Sequence, residues 1–347
     1  MNRYYPFLVT ILLMLAACHD SKDEPSPVGN NESDVYVLVS SYDRDFVYNL
    51  DGDAIYCSPE GSHIASLQAE GSDWYALVKY GDGKNDIIKN GKSVFLTTQE
   101  ITEFGVGKGR VFTLQRVRKE DGTYQWSYWE NSKPRSQLDG NQEYSYRNMV
   151  VNTYTNPFEP TYVELMFLSV TPDSTALVFD SHRTGTLSLN EFGLADDYVI
   201  SADFDNRLIY CYEDLESGKY MYMWNYEDHE LDFLPCQALV CDYIPYILGS
   251  KSAGQIGSGI RRQPVVLVDG VETELKAGFL PKPLERGVKM RHHGNDVYIL
   301  ATGNNYSCIF KNLEPIKVKA KIPNPGYLAD MISLSNAEYK DFIVVDK

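Results

Sequence analysis

GSDWYALVKYGDGKNDIIKNGKSVFL, residues Gly71 to Leu96, is the stretch that decides the fold. Trp74, Ala76 and Val78 alternate in it with Tyr75, Leu77 and Lys79, and a two-residue period puts the two sets on opposite faces of a strand. Both faces are largely apolar, as in a strand covered on each side by a packed layer. Tyr80-Gly81-Asp82-Gly83 supplies residues that tolerate positive φ, so the chain reverses there into Asp86-Ile87-Ile88-Lys89. Asn90-Gly91 then reverses it again, since Asn-Gly suits a type I′ hairpin turn. The unit is a meander of antiparallel strands.

The same grammar recurs. Asp34 to Val39 leads to Phe46 to Leu50 and the turn Asp51-Gly52, and Asp296 to Leu300 leads to Cys308 to Asn312. Weaker copies begin at Arg110-Val111-Phe112 with Tyr128 to Asn131, at Tyr162 to Val170, and at Arg207 to Tyr210 with Met221 to Asn225, while Val265 to Gly270 shows mainly a second half. A short apolar strand precedes the pairs, as at Ile64 to Leu67, Tyr198 to Ala202 and Gly287 to Met290. A period of roughly 40 residues with four strands per unit is the signature of a β-propeller. The expected fold is therefore all-β, a single propeller of seven four-stranded blades, with eight or six as alternatives. The first unit lacks its leading strand, and the C-terminal segments Met331 to Leu334 and Phe342 to Val345 lack a unit of their own, so C-terminal strands are expected to join the first blade and close the ring. Which of Val35 to Val39 and Phe342 to Val345 lies at the edge of that blade stays open.

Three segments precede or make up the domain: 1–17 reads as an export signal, 18–33 as a tether and 34–347 as the propeller. The apolar run Phe7 to Ala17 is too short to span a bilayer core of about 30 Å as a helix, and it suits the apolar part of a secretory leader. Leu15-Ala16-Ala17-Cys18 resembles the lipobox of bacterial lipoproteins, which implies lipidation of Cys18; cleavage as an ordinary leader is the alternative. The polar, acidic, proline-bearing segment that follows cannot form a core. Lys22-Asp23-Glu24 within it resembles an acidic surface-export signal of lipoproteins in Gram-negative gut anaerobes. The expected location is the outer membrane, anchored by lipid and facing the cell surface, with the periplasmic face as the alternative.

Composition narrows the partners. A formal charge of −16 repels phosphate backbones, so nucleic acid is excluded as a natural partner. Aromatic residues make up 13% of the chain, with 26 tyrosines, which suits half-buried pleated surfaces and also stacking on a ligand. Lipidation of Cys18 leaves Cys57, Cys211, Cys236, Cys241 and Cys308, an odd number; Cys211 and Cys308 read as small buried hydrophobes, and Cys236 and Cys241 either bridge a loop or stay as thiols.

Catalytic motifs are absent: no Gly-x-Ser-x-Gly elbow, phosphate-cradling loop or His-Glu-x-x-His occurs, and no cofactor or metal is expected. Asp51-Gly52-Asp53 and Asp82 to Asp86 lack the ligand pattern of a calcium loop and read as turns. Arg291, His292 and His293 sit where a strand ends, with adjacent imidazoles expected on opposite faces, one toward a central channel and one between blades. Two stretches break the repeat and read as irregular loops: Asn152 to Pro160, carrying Tyr154 and Phe158, and Asp242 to Gly259, carrying Tyr243 and Tyr246. Tyr154, Phe158, Tyr243, Tyr246, Arg291 and His292 are therefore the candidate ligand contacts.

The lipobox, the repeated Asp-Val-Tyr (Asp34 to Tyr36, Asp296 to Tyr298) and Asp-Trp-Tyr (Asp73 to Tyr75), and Lys89-Asn90-Gly91 together resemble the surface β-propeller lipoproteins of gut anaerobes, many without assigned activity. The resemblance implies a lipid-anchored binding or scaffold protein engaging a protein or glycan. The rival reading is a glycan-active enzyme that uses channel carboxylates.

Overall fold

In the computed structural model, which describes residues 33–138, 145–156, 159–171, 175–181, 190–195, 198–204, 207–256, 259–323 and 331–347, the strands assemble into seven four-stranded antiparallel sheets. Each is one blade of a propeller. From the inside outward, blade 1 is Tyr339–Asp346, Ser33–Ser40, Asp45–Asn49 and Ala54–Cys57. Blades 2 to 7 follow in chain order over residues 62–97, 100–138, 145–195, 198–231, 234–274 and 286–315, each with its first strand innermost.

The alternation read in Gly71 to Leu96 works as the pattern demands. Trp74, Ala76 and Val78 pack with Leu38, Val47 and Ile343 of blade 1, whereas Tyr75 and Leu77 pack with Ile101, Phe104 and Val111 of blade 3. Every neighbouring pair of blades has such an apolar layer between its sheets, including the pair that closes the ring, where Tyr298, Leu300 and Ile309 of blade 7 meet Val35, Val37, Phe342 and Val344 of blade 1. Burial of these layers is the main favourable contribution to folding.

Ring closure joins the two ends of the chain. Asp34 pairs with Val345, Tyr36 with Ile343 and Leu38 with Asp341, so the last strand enters the first sheet antiparallel to the first. The last strand forms the inner edge of the sheet and Ser33–Ser40 lies second, within it, so it is the Phe342 to Val345 segment that takes the edge position. Met331–Ser333, expected in the same sheet, is instead paired with Lys321–Pro323 in a separate two-stranded sheet. Its neighbours explain the detour: Ile322 and Leu334 are fully buried and plug the layer between blades 7 and 1. Gly52 makes room for this excursion, because a Cβ there would stand 3.0 Å from the Ala320 Cβ and the backbone φ is +93°.

The two stretches read as irregular loops are extensions of the blades. Ser145–Asn156 and Glu159–Val170 form a long hairpin in blade 4, and Ile244–Ile256 and Gly259–Val268 form another in blade 6. Gly249 is a packing glycine in this second hairpin, since a Cβ would approach the Leu234 carbonyl oxygen to 2.4 Å. The turn after each innermost strand lies on the side where the chain enters at Ser33, called here the entry face; the blade 6 hairpin extends toward the opposite, far face.

Candidate functional site

All seven innermost strands carry a register shift, at Ile64/Ser66, Ile101/Glu103, Arg147/Val150, Val199/Ser201, Pro235/Gln237, Gly287/Lys289 and, opposite Leu38/Val39, at Lys340. Such a bulge re-aims the following side chains. Here they reach sideways to the next blade around a central channel of about 580 Å³.

A belt of polar contacts results. Asp341 Oδ2 accepts from the Leu67 amide at 2.8 Å, Glu103 accepts from the amides of Asn148 and Met149 at 3.0 and 3.2 Å, and Ser201 Oγ accepts from the Ala238 amide at 3.2 Å. Gln237 both accepts from the Met290 amide at 2.6 Å and donates to the Met290 carbonyl at 3.0 Å. Gln68 donates to Phe104 O at 3.2 Å, and Asn148 donates to Ala202 O at 2.6 Å. Asp203 Oδ2 adds a further link, accepting from the Val240 amide at 2.7 Å.

Blades 7, 1 and 2 are held by a clasp. Arg291 donates to Leu67 O at 2.6 Å and Gln68 Oε1 at 3.0 Å and lies 3.2 Å from Asp341 Oδ1, while Lys289 Nζ lies 3.0 Å from Asp341 Oδ2. One guanidinium thus spans three blades across the strand that closes the ring. Burial alone would raise the Asp341 carboxyl, but Lys289, Arg291 and the Leu67 amide together hold it below the usual aspartate range. Enclosure and then the like charge of Arg291 pull the Lys289 ammonium down, against the attraction of Asp341. Asp341 and Lys289 move in the same direction because the anion gains from two cations, whereas burial of the Lys289 ammonium, with the like charge of Arg291 beside it, outweighs the one anion it faces.

Asp341→Asn is expected to cost about 3–5 kcal/mol in urea unfolding, because it leaves two cations facing each other in the wall. Since the folded carboxyl titrates below its unfolded counterpart, its contribution is complete above about pH 4 and drains away as acid takes the pH lower. The melting temperature of Asp341→Asn should therefore fall less steeply than wild type below pH 4; parallel acid profiles would contradict the clasp.

On the entry face the repeated Asp-x-Tyr and Lys-Asn motifs form one clamp. In blade 2 the Asn90 Oδ1 accepts from the Trp74 amide at 2.9 Å, Asn90 Nδ2 donates to Asp73 at 2.6 Å, Lys89 pairs with Asp73 at 2.6 Å, and the Lys89 ammonium lies over the Tyr75 ring. Lys89 lowers the Asp73 carboxyl, and Asp73 in turn raises the Lys89 ammonium. Blade 7 repeats this with Asp296, Val297, Tyr298, Lys311 and Asn312, and blade 3 reverses the charges with Arg110 on Glu130 at 3.1 Å.

Turns on this face also hold bulky residues in the left-handed region, Leu313 after Asn312 in blade 7 among them at φ +71°, and two such turns carry exposed tyrosines. Tyr226 follows Asn225 where Gly91 follows Asn90 in blade 2; it has φ +65° and is 99% exposed. Tyr243 follows Asp242 in the next blade with φ +61° and is 58% exposed. Arg207 joins them: its guanidinium donates to Asn225 Oδ1 at 3.1 Å and lies 5.6 Å from the Tyr243 ring centroid and 5.8 Å from that of Trp224. A bulky side chain in the left-handed region costs about 1–2 kcal/mol, and Tyr226 recovers almost none of it through packing.

The candidate contacts drawn from sequence do not converge. Tyr243 is at the entry-face turn, Tyr246 is partly buried against the layer between blades 6 and 7, and His292 lines the channel. Arg291 also reaches the channel, but its two terminal nitrogens are engaged in the clasp, while Nε is buried without a partner. His293 is turned to blade 1, where Nε2 lies 2.9 Å from Asp346 Oδ1. The Tyr154 side chain, Phe158, Cys18 and residues 19–32 of its tether lie outside the described residues, whereas Ser33, read as the last tether residue, already begins the first strand. Cys236 and Cys241 form no disulfide: Cys236 Sγ donates to Gly287 O at 3.6 Å and Cys241 Sγ to Gly294 O at 3.7 Å. Burial pushes the thiols of Cys211 and Cys308 up to about 12, as suits inert core residues. The belt, Arg207 and Tyr226 were not singled out from sequence; aligning the Asn-Gly turns of the repeats exposes Tyr226, whereas the belt depends on spatial neighbours.

No family of known proteins matches this chain, and no curated protein is similar to it. Among solved structures it is similar to apo AztD from Citrobacter koseri, at 11% identity and a TM-score of 0.47 over 90% of this chain and 97% of that one. It is also similar to the β-propeller domain of the Trilobed protease from Pyrococcus furiosus, described as having an open velcro topology, at 11% identity and a TM-score of 0.48 over 83% and 92%. A Mycobacterium tuberculosis puromycin-hydrolyzing peptidase matches at 12% identity and a TM-score of 0.47; 88% of this chain is covered, but it spans only 56% of that one. These are likenesses of fold.

Proposed function

We propose that this chain is a binding protein of the cell envelope, anchored by lipid on Cys18 in the outer membrane and facing outward, which engages a protein or glycan partner through its entry-face turns and performs no reaction. One observation carries the choice against an enzyme. Among the described residues, the acidic side chains that line the channel, Glu103 and Asp203, and Asp341 buried in its wall all accept backbone amides of the blade that follows. A glycosidase needs a pair of carboxyl groups free to exchange a proton and to attack or activate water. These carboxylates are instead structural acceptors.

The surface that suits a partner is the cluster of Tyr226, Tyr243 and Arg207. Tyrosine and arginine are enriched in binding hot spots, and a tyrosine ring, with only two rotatable χ angles, loses little entropy on being covered. Changing Tyr226 and Tyr243 to glycine separates a binding role from a structural one, because glycine relieves the left-handed backbone. The double variant should melt no lower than wild type, with a backbone gain of about 1 kcal/mol per turn, and should lose binding on a glycan array and in cross-linked pull-downs from intact envelopes. Full retention of a wild-type partner by this variant would contradict the assignment of the surface, and no partner in either assay would contradict the function.

A further inference from the structure

Blade 6 departs from the other blades twice. Its second and third strands run on as the long hairpin over residues 244–268, and its last strand, Val271–Glu274, is followed by an extended segment before blade 7 begins at Arg286, where blades 2 and 5 use only two residues. On the far face these two departures meet and enclose a cavity of about 360 Å³, at the small end of ligand pockets.

Its floor is apolar. Leu275 and Leu284 are 3% and 4% exposed and belong to the layer between blades 6 and 7, and Leu280 stands partly exposed beside them. Its rim is cationic, with Arg261 from the hairpin and Lys276 and Lys282 from the segment. Lys276 is neutralised by an ion pair with Glu274, whose other oxygen accepts from Gln263 at 2.7 Å. Arg261 and Lys282 are exposed and have neither an ion pair nor a side-chain hydrogen bond among the described residues. In a chain with 48 acidic and 32 basic residues, two uncompensated cations over one apolar floor form a local field opposite in sign to the rest of the molecule.

We propose that this cavity binds a small amphipathic anion: a hydrocarbon body lies on Leu275, Leu280 and Leu284, and a carboxylate or phosphate headgroup meets Arg261 and Lys282. Neither half of the site suffices alone. Inorganic phosphate has nothing to place on the leucines, and a neutral hydrocarbon leaves both cations as they were. Because the cavity opens on the far face, it stands apart from the tyrosine surface, and the failure of either leaves the other intact.

Calorimetry on the full chain carrying Cys18→Ser, which removes the need for detergent, tests the site with octanoate, octyl phosphate, octanol and octylammonium. One or both anions should bind, and the better anion identifies the headgroup. Octanol should bind at least about tenfold more weakly, and octylammonium not at all. The double variant Arg261→Gln, Lys282→Gln should lose about tenfold or more in affinity for the anion while its melting temperature stays unchanged, since neither side chain holds the fold. No heat from either anion, equal binding of octanol, or undiminished binding by a well-folded double variant would overturn the proposal.

Discussion

Deleting Lys340 to Lys347 is expected to abolish cooperative unfolding. Phe342, Ile343, Val344 and Val345 are each no more than 5% exposed in the innermost strand of blade 1. Burial of four such side chains contributes about 6–12 kcal/mol before chain entropy is subtracted. A domain has about 5–15 kcal/mol in total. The deletion also removes Asp341, leaving Lys289 and Arg291 without their anion and the Leu67 amide without its acceptor. Exposure of the Ser33–Ser40 strand as a new inner edge should in addition promote aggregation. Calorimetry and near-ultraviolet circular dichroism check the outcome: a sharp transition at the wild-type temperature would mean that the ring does not depend on this strand.

Replacing Cys18 by serine is expected to move essentially all of the protein from the membrane to the soluble fraction. The polar tether, Cys18 to Ser33 in the sequence, offers no apolar surface of its own, so the acyl chains alone would hold the molecule on the bilayer. Fractionation of cells expressing each form reads this directly, and protease added to intact cells reads the outward orientation of the wild type. A Cys18→Ser protein that stays with the membrane would contradict lipid anchoring, and complete protection of the wild type from protease would place it on the inner side.

The fold was legible because two-residue alternation survives in most strands. Trp74 and Tyr75 read as facing opposite layers, and they do, toward blades 1 and 3 respectively. The long hairpins were illegible because their glycines and prolines mimic loop signals. Pro160 escapes the usual penalty in a strand by lying between the paired residues Glu159 and Tyr162 at a register shift. Gly249 sits in an extended strand for reasons of space and not of flexibility. The clamp motifs were visible as Asp-Val-Tyr and Lys-Asn-Gly, yet their meaning needed coordinates, since Asp73 and Lys89 meet only across a hairpin. Less still could be read of the clasp. Arg291 and Leu67 are 224 residues apart, and nothing local to either announces the other. Arg291 therefore read as a ligand contact, as a basic residue at a strand end beside two histidines.

The sharpest separation between binding and turnover comes from mass spectrometry of the glycans themselves. Incubating the purified full chain with the oligosaccharides it retains, and weighing them before and after, should return every one bound and chemically unchanged, because Glu103, Asp203 and Asp341 are committed to backbone amides. Cleavage products that appear with wild type and vanish with Glu103→Gln or Asp203→Asn would show channel carboxylates at work as catalysts and would contradict the binding assignment.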